Sequence, residues 1–205
     1  MSTYGTMRAR VLDELNRAGE MTSQALSAIQ SAIDHYEKMP FWFNDGRATT
    51  TTVAGTEWYP LPTDFISENK LLILVNGASY ELRRIAFEES EELYQPYAIS
   101  SGNPYLYAIF QEQIRLYPIP NGAFTITLSY HKALSTLTNE GDTNAWMTDG
   151  EELIRSRAEA DLSFRILRDK STSDYFRRFE EKALSRLVST TSRRFSTGKT
   201  RRRSI

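Results

Sequence analysis

Apolar residues recur at helical spacing through the first forty positions. Met7, Val11, Leu15 and Ala18 form one stripe and Leu26, Ile29, Ile33 and Tyr36 a second, with Gly19 placed to close the first helix and Thr22 to cap the next. From Phe41 the period shortens to that of strands. Ala48 to Val53 is Thr-rich and β-branched, and Glu57 to Leu61 is expected to return as its hairpin partner before Pro60 and Pro62 end the pairing. Lys70 to Val75 and Ser79 to Ile85 flank Asn76-Gly77, the dipeptide suited to a type I′ turn because both central residues need positive φ. Phe87 to Tyr94 reads as a short acidic helix, and Tyr105 to Phe110, Ile114 to Tyr117 and Phe124 to His131 alternate as three further strands. Helical spacing returns at Thr148, where Thr148-Asp149-Gly150-Glu151 has the form of a capping box. That helix carries Leu153, Ile154, Ala158, Leu162 and Ile166; a last one, opened by Thr172 or Ser173, carries Phe176, Phe179, Ala183 and Leu187.

The order of elements predicts an α+β protein. Two N-terminal and two C-terminal helices, residues 1–40 and 148–188, are expected to pack as a four-helix bundle, with residues 41–147 extruded as a β-rich insertion lobe. Beyond Val188 the apolar period stops, so residues 189–205 are expected to form an extended basic C-terminal arm, disordered in the isolated protein.

Charge sharpens that division. Arg193, Arg194, Lys199, Arg201, Arg202 and Arg203 are six of the 25 basic residues, and none of the 26 acidic ones lies beyond Ser189. Positions 1–188 therefore hold 19 basic against 26 acidic residues, a balance of −7 beside an arm of +6 that the overall charge of −1 conceals. An acidic body with a basic arm is the pattern of a protein that reaches for an acidic partner.

Candidate chemistry is sparse. The chain has no cysteine, which removes disulfides and thiolate ligands, and its two histidines, His35 and His131, read as structural or surface residues. Glu88, Glu89, Glu91 and Glu92 fit a solvated helix face better than a cation loop, which alternates ligands around a Gly turn. No Gly-rich phosphate loop stands between a strand and a helix; Gly198-Lys199-Thr200 lies in the arm. The expectation is a protein without catalytic residues, cofactor or metal. The longest apolar run, Leu71 to Val75, is far short of the roughly 20 residues of a membrane helix, and no signal-peptide core opens the chain, so a soluble, unprocessed protein is expected.

The β region holds more aromatic residues than one small sheet face can hide. Trp58, Tyr59, Tyr105 and Tyr107 are the candidate contacts to other subunits or to a tail-side partner, since subunit interfaces enrich for Tyr and Trp.

Several segments together resemble the head-to-tail adaptor (connector, or head-completion) proteins of tailed bacteriophages. They are Trp42-Phe43-Asn44, the run Glu57 to Phe65, Gly102-Asn103-Pro104, Tyr107-Ala108-Ile109, Ile114 to Pro118, Leu128 to Lys132 and Asn144-Ala145-Trp146, in an order and spacing that cover Phe41 to Ala160. A looser likeness extends to the tail tubular protein A group of short-tailed phages. The resemblance implies a non-enzymatic subunit that forms a homo-oligomeric ring, usually of twelve copies, in the neck of the virion. Such a ring sits between the portal protein and a tail or nozzle protein, extends the channel through which packaged DNA passes, and is assembled in the host cytoplasm. Arg193, Arg194, Lys199, Arg201, Arg202 and Arg203 match no motif of that family; a portal-binding role for them rests on position and charge. The alternative reading is a nucleic-acid-binding protein whose basic tail is its electrostatic footprint.

Overall fold

Short polar side chains set the first helix start but not the second. In α1 (Tyr4–Glu14) Thr3 and Thr6 satisfy each other's backbone amides, and the helix stops at Glu14 because Asn16 takes a left-handed conformation, φ 55°, rather than running on to Ala18. Thr22 does not cap the next helix; it is the first residue of α2 (Thr22–Tyr36), whose N-cap, Met21, is left-handed and makes no side-chain bond. The computed structural model describes residues 2–93 and 100–195, and the chain divides into a unit of Met1–Asn44 with Leu134–Ile205 and a unit of Asp45–Ala133. Residues 41–44 and 134–147, expected in the β-rich lobe, thus belong to the helical unit.

The strand-rich unit runs β1 (Asp45–Thr51), β2 (Trp58–Pro60), β3 (Phe65–Val75), β4 (Ala78–Glu81), β5 (Arg83–Arg84), α3 (Phe87–Leu93), β6 (Ser101–Gly102), β7 (Leu106–Phe110), β8 (Gln113–Tyr117), β9 (Ile119–Pro120) and β10 (Thr125–Lys132). One sheet has the order β1-β10-β3-β4, a second β2-β8-β7-β5, and β6 with β9 forms a small parallel ladder. The expected hairpin between the first two strands does not form: β1 pairs antiparallel with β10, and β2 with β8 in the other sheet. Thr52 fixes the crossing, its hydroxyl accepting from the Phe124 amide and donating to the Gly122 carbonyl, both at 2.8 Å. The Asn76-Gly77 turn does form, with φ of 49° and 80° joining β3 to β4.

Inward residues of both sheets share one core, Leu71, Ile73, Ile126 and Leu128 from the first against Tyr59, Tyr107, Ile114 and Leu116 from the second. The outer face of the second sheet carries Leu106 and Ala108, which cluster with Ile85 and Leu93 of the α3 layer. Gly46 is required where it stands, because a Cβ there would lie 2.8 Å from the Tyr130 ring.

In the helical unit a 3₁₀ turn, Trp42–Asn44, precedes the insertion, and α4 (Ala145–Thr148), α5 (Glu151–Arg165) and α6 (Lys170–Phe195) follow it. The capping box expected at Thr148 is absent. Asn144 caps one turn earlier by accepting from the Trp146 amide, the Thr148 hydroxyl turns to Asp149, and Gly150 precedes α5, where a Cβ would sit 2.8 Å from the Trp146 ring. α6 begins at Lys170, ahead of the expected Thr172 or Ser173, because the Asp169 carboxylate accepts from the Thr172 hydroxyl and amide; those bonds pull its carboxyl down to about 2.

A four-helix bundle is not what these segments build. The chain has six α-helices among its described residues, one of them in the strand-rich unit and one a single turn, beside a substantial multi-sheet region; the architecture is mixed α+β. Within the helical unit α5 is the hub, packing on α1, α2, α4 and α6. Its small residues Ser156, Ala158, Ala160 and Ser163 are buried along with Leu153, Ile154 and Leu162, so neighbours approach it from several sides. A helix so enclosed needs no single apolar stripe. Tyr36 of α2 and Arg157 of α5 both donate to the Glu180 carboxylate of α6, which ties three helices through one buried polar group.

The extended arm is also corrected at its start. α6 continues past Val188 to Phe195 because Thr191 occupies the next buried position after Phe176, Glu180, Ala183 and Leu187. The polar side chains of Glu180 and Thr191 within that stripe hide it from a hydropathy reading. Residues 196–205 lie outside the described residues.

Glu159 of α5 is 1% exposed and lies beside Glu14 and Arg155. Burial, then the Glu14 charge, pushes its carboxyl up to about 9 against the attraction of Arg155. The folded state holds this proton where the unfolded chain has released it, so its contribution is full below about pH 4.5 and is lost as pH rises through 9. Denaturant titrations between pH 5 and 9 are expected to show falling stability of the protein, and Glu159→Gln, which keeps the neutral shape, is expected to flatten that fall. An unchanged slope in the variant contradicts the assignment.

Candidate assembly surfaces

The C-terminal end of α6 brings part of the basic segment against an aromatic side chain. Arg193 and Arg194 occupy its last turn, where cations favour the negative end of the helix dipole, and the Arg194 guanidinium lies 4.7 Å from the centre of the Trp42 ring. Trp42 also borders a groove of about 400 Å³ with Asp149, Glu152, Arg186 and Thr190. Glu152 is paired with Arg186 at 2.5 Å there. Arg193 and Arg194 are exposed; Lys199, Arg201, Arg202 and Arg203 lie outside the described residues. The link from Arg194 to Trp42 was not legible in the sequence, where the two are 152 positions apart.

The four aromatic candidates of the strand-rich unit separate by burial. Tyr59 and Tyr107 are 6% and 4% exposed, so they face the core shared by the two sheets and do not offer a surface to another chain. The Tyr59 hydroxyl accepts from the Val53 amide and donates to the Thr56 carbonyl, which pins the 53–56 turn. Strand parity explains this: Tyr59 pairs with Ile114 and Tyr107 with Leu116, both inward.

Trp58 lies on the opposite face of β2 from Tyr59, and Tyr105 stands just ahead of β7. Trp58 is half-buried on the outer face of the second sheet, with the Arg115 guanidinium 5.0 Å over its ring and Phe87 at 6.4 Å, and Phe87 stacks on the exposed Phe110 at 4.0 Å. Arg115 is itself buried and pairs with Glu91 of α3 and with Glu57 at 3.5 Å. Tyr105 is 57% exposed, edge-on to Tyr117 at 6.1 Å. Tyr80, which no sequence signal marks, is 58% exposed on β4.

His35 is exposed on α2, and His131 is buried in β10 opposite Asp45. The acidic residues of α3 serve in part to hold Arg115, through Glu91. Among the described residues no helix is long and apolar enough to cross a membrane, and no three or more His, Asp or Glu side chains converge as metal ligands would.

Compared with known protein families, residues 2–203 match the family described as SU10 adaptor protein. A comparison with curated proteins found no match. The family match takes in both units and reaches into the C-terminal segment.

The Arg194 contact has a local readout. Arg194→Ala removes a cation–π contact of about 0.5–1 kcal/mol, so hydrogen exchange of the amides in the last turn of α6 is expected to accelerate about 2- to 5-fold. Lysine at the same position should retain most of the protection, and equal acceleration in both variants contradicts the contact.

Proposed function

The chain belongs to the SU10 adaptor protein family, and on that premise we propose that it is the ring subunit joining the portal vertex of a bacteriophage head to its tail. A phage adaptor is a structural protein, and the family implies contact with portal and tail at the neck of the virion. In the finer reading copies of this chain, twelve as the sequence resemblance implies, close into a ring after synthesis in the host cytoplasm. That ring extends the DNA channel and gives the tail or nozzle protein a platform. The subunit performs no catalysis and needs no cofactor.

The single observation carrying this reading is the family match from residue 2 to residue 203. The distribution of charge supports it. A body with a balance of −7 repels its neighbours in a ring, whereas a +6 segment at residues 189–205 can offset that repulsion by meeting an acidic partner. Ring multiplicity then strengthens weak single contacts through effective concentration.

Because α6 is packed as far as Thr191, the informative truncation begins after Phe195. Deleting residues 196–205 is expected to leave the circular dichroism spectrum unchanged and to abolish stable co-sedimentation with portal particles. Changing Arg201, Arg202 and Arg203 together to Ala is expected to weaken portal binding by about 5- to 30-fold at low ionic strength, the effect of about 1–2 kcal/mol from three charges, and less at high salt. Unchanged portal binding after the deletion contradicts the role of the arm. Lost DNA binding with intact portal binding moves that role to the packaged genome.

A further inference from the structure

The first sheet of the strand-rich unit ends in two open edges of matching polarity. Its order β1-β10-β3-β4 is antiparallel at each of three steps, so β1 and β4 run in opposite directions at opposite ends. If β4 of a second copy is set beside β1, the sheet continues antiparallel without a break. The contact uses one surface on one subunit and a different one on the next, the heterologous kind that closes into rings.

Side-chain parity makes the same match. Paired residues share a face, and the row Thr50–Ile126–Ile73–Tyr80 crosses all four strands. Ile126 and Ile73 are each 2% exposed, which fixes the row as inward-facing, yet Tyr80 at its end is 58% exposed. A large aromatic therefore stands on the core side of the sheet with no core over it. At the opposite end, Thr50 and Ala48 of β1 border an apolar cleft of about 300 Å³ that reaches Leu61, Leu71, Ile126 and Leu128. The stretch Ala48 to Val53 has neither the charge nor the proline that usually protects an exposed edge.

We propose that β4 of one copy adds to β1 of the next, placing Tyr80 of the added strand in the cleft beside Ala48 and Thr50. The occupant is a second copy of this chain, chosen by strand polarity, by the inward row that is open at both ends, and by an exposed aromatic at one end facing an apolar cleft at the other. The inference rests on the ring reading above and specifies a contact within it. β4 has four residues, so the strand pair is one part of an interface that must bury on the order of 1,200–2,000 Å² to be stable.

The absence of native cysteine makes covalent capture clean. Tyr80→Cys is combined with Thr50→Cys, and separately with Ala48→Cys, the two parity-matched positions; each full chain is assembled with portal particles and oxidised. Opposed antiparallel residues lie about 4.5–5.5 Å apart, within disulfide reach, whereas β1 and β4 of one chain are three strand spacings apart, about 14 Å, and cannot be bridged. The expected result is a ladder of covalent oligomers from one of the double variants, and dimers alone when the single variants are mixed. In wild-type rings the amides of Ala48–Thr51 and Ala78–Glu81 are expected to exchange more slowly than in the free chain. Rings visible by electron microscopy in which neither double variant cross-links, dimers from Thr50→Cys alone, or unchanged exchange of both edges in wild-type rings each overturn the strand pairing and leave the ring standing. A wild-type chain that forms no ring with portal overturns both.

Discussion

The pairing of β1 with β10 is the constraint on which the rest of the chain depends. Asp45, the first residue of the strand-rich unit, is opposed by His131, two residues before its end. An insertion of 89 residues, 45–133, therefore begins and ends in one ladder. That closure allows the segments before and after it to share a single hydrophobic core, with Phe41 and Trp146 stacked edge to face at 5.7 Å. The loop-closure cost of so long an insertion is modest because it grows only with the logarithm of length.

Within the helical unit the corresponding role falls to α5. Buried on most of its circumference, it is the surface against which α1, α2, α4 and α6 are ordered. The acidic residues it buries are held in different ways. Glu180 of α6 receives hydrogen bonds from Tyr36 and Arg157, while Glu159 is retained with its proton beside Glu14. A carboxyl kept neutral by burial avoids most of the cost of a buried charge, at the expense of a pH-dependent fold.

The aromatic residues of the strand-rich unit divide between its core and its surface. Tyr59 and Tyr107 build the core between the sheets, Trp58 is braced by the buried Arg115, and Tyr105 and Tyr80 are left on the surface. Residues of one chemical type, a few positions apart, thus differ in exposure: Trp58 and Tyr59 sit on opposite faces of β2, Tyr80 lies on an edge strand and Tyr105 just ahead of β7.

Local chemistry in the sequence was enough to determine several features. Asn76-Gly77 dictated a turn with two positive φ angles, the alternation from Tyr105 to His131 dictated three strands, and the segments from Phe41 to Ala160 pointed to the phage adaptors, as the family match bears out. These depend on residues close together in the chain or on motifs in order. Tertiary structure decided the remainder. Whether Ala48–Val53 paired with Glu57–Leu61 or with β10 turned on a partner some 75 residues away, and the burial of Tyr59 beside the half-buried Trp58 turned on strand parity within a sheet whose order long-range pairing sets. The same holds for the bundle. Helical periodicity marked out four long helices, but their arrangement around α5, and the extension of α6 through Thr191, came from small and polar residues that carry little hydropathic signal and are buried only because other helices cover them. Periodicity reports which face of an element is apolar; which partner covers that face is settled by long-range packing.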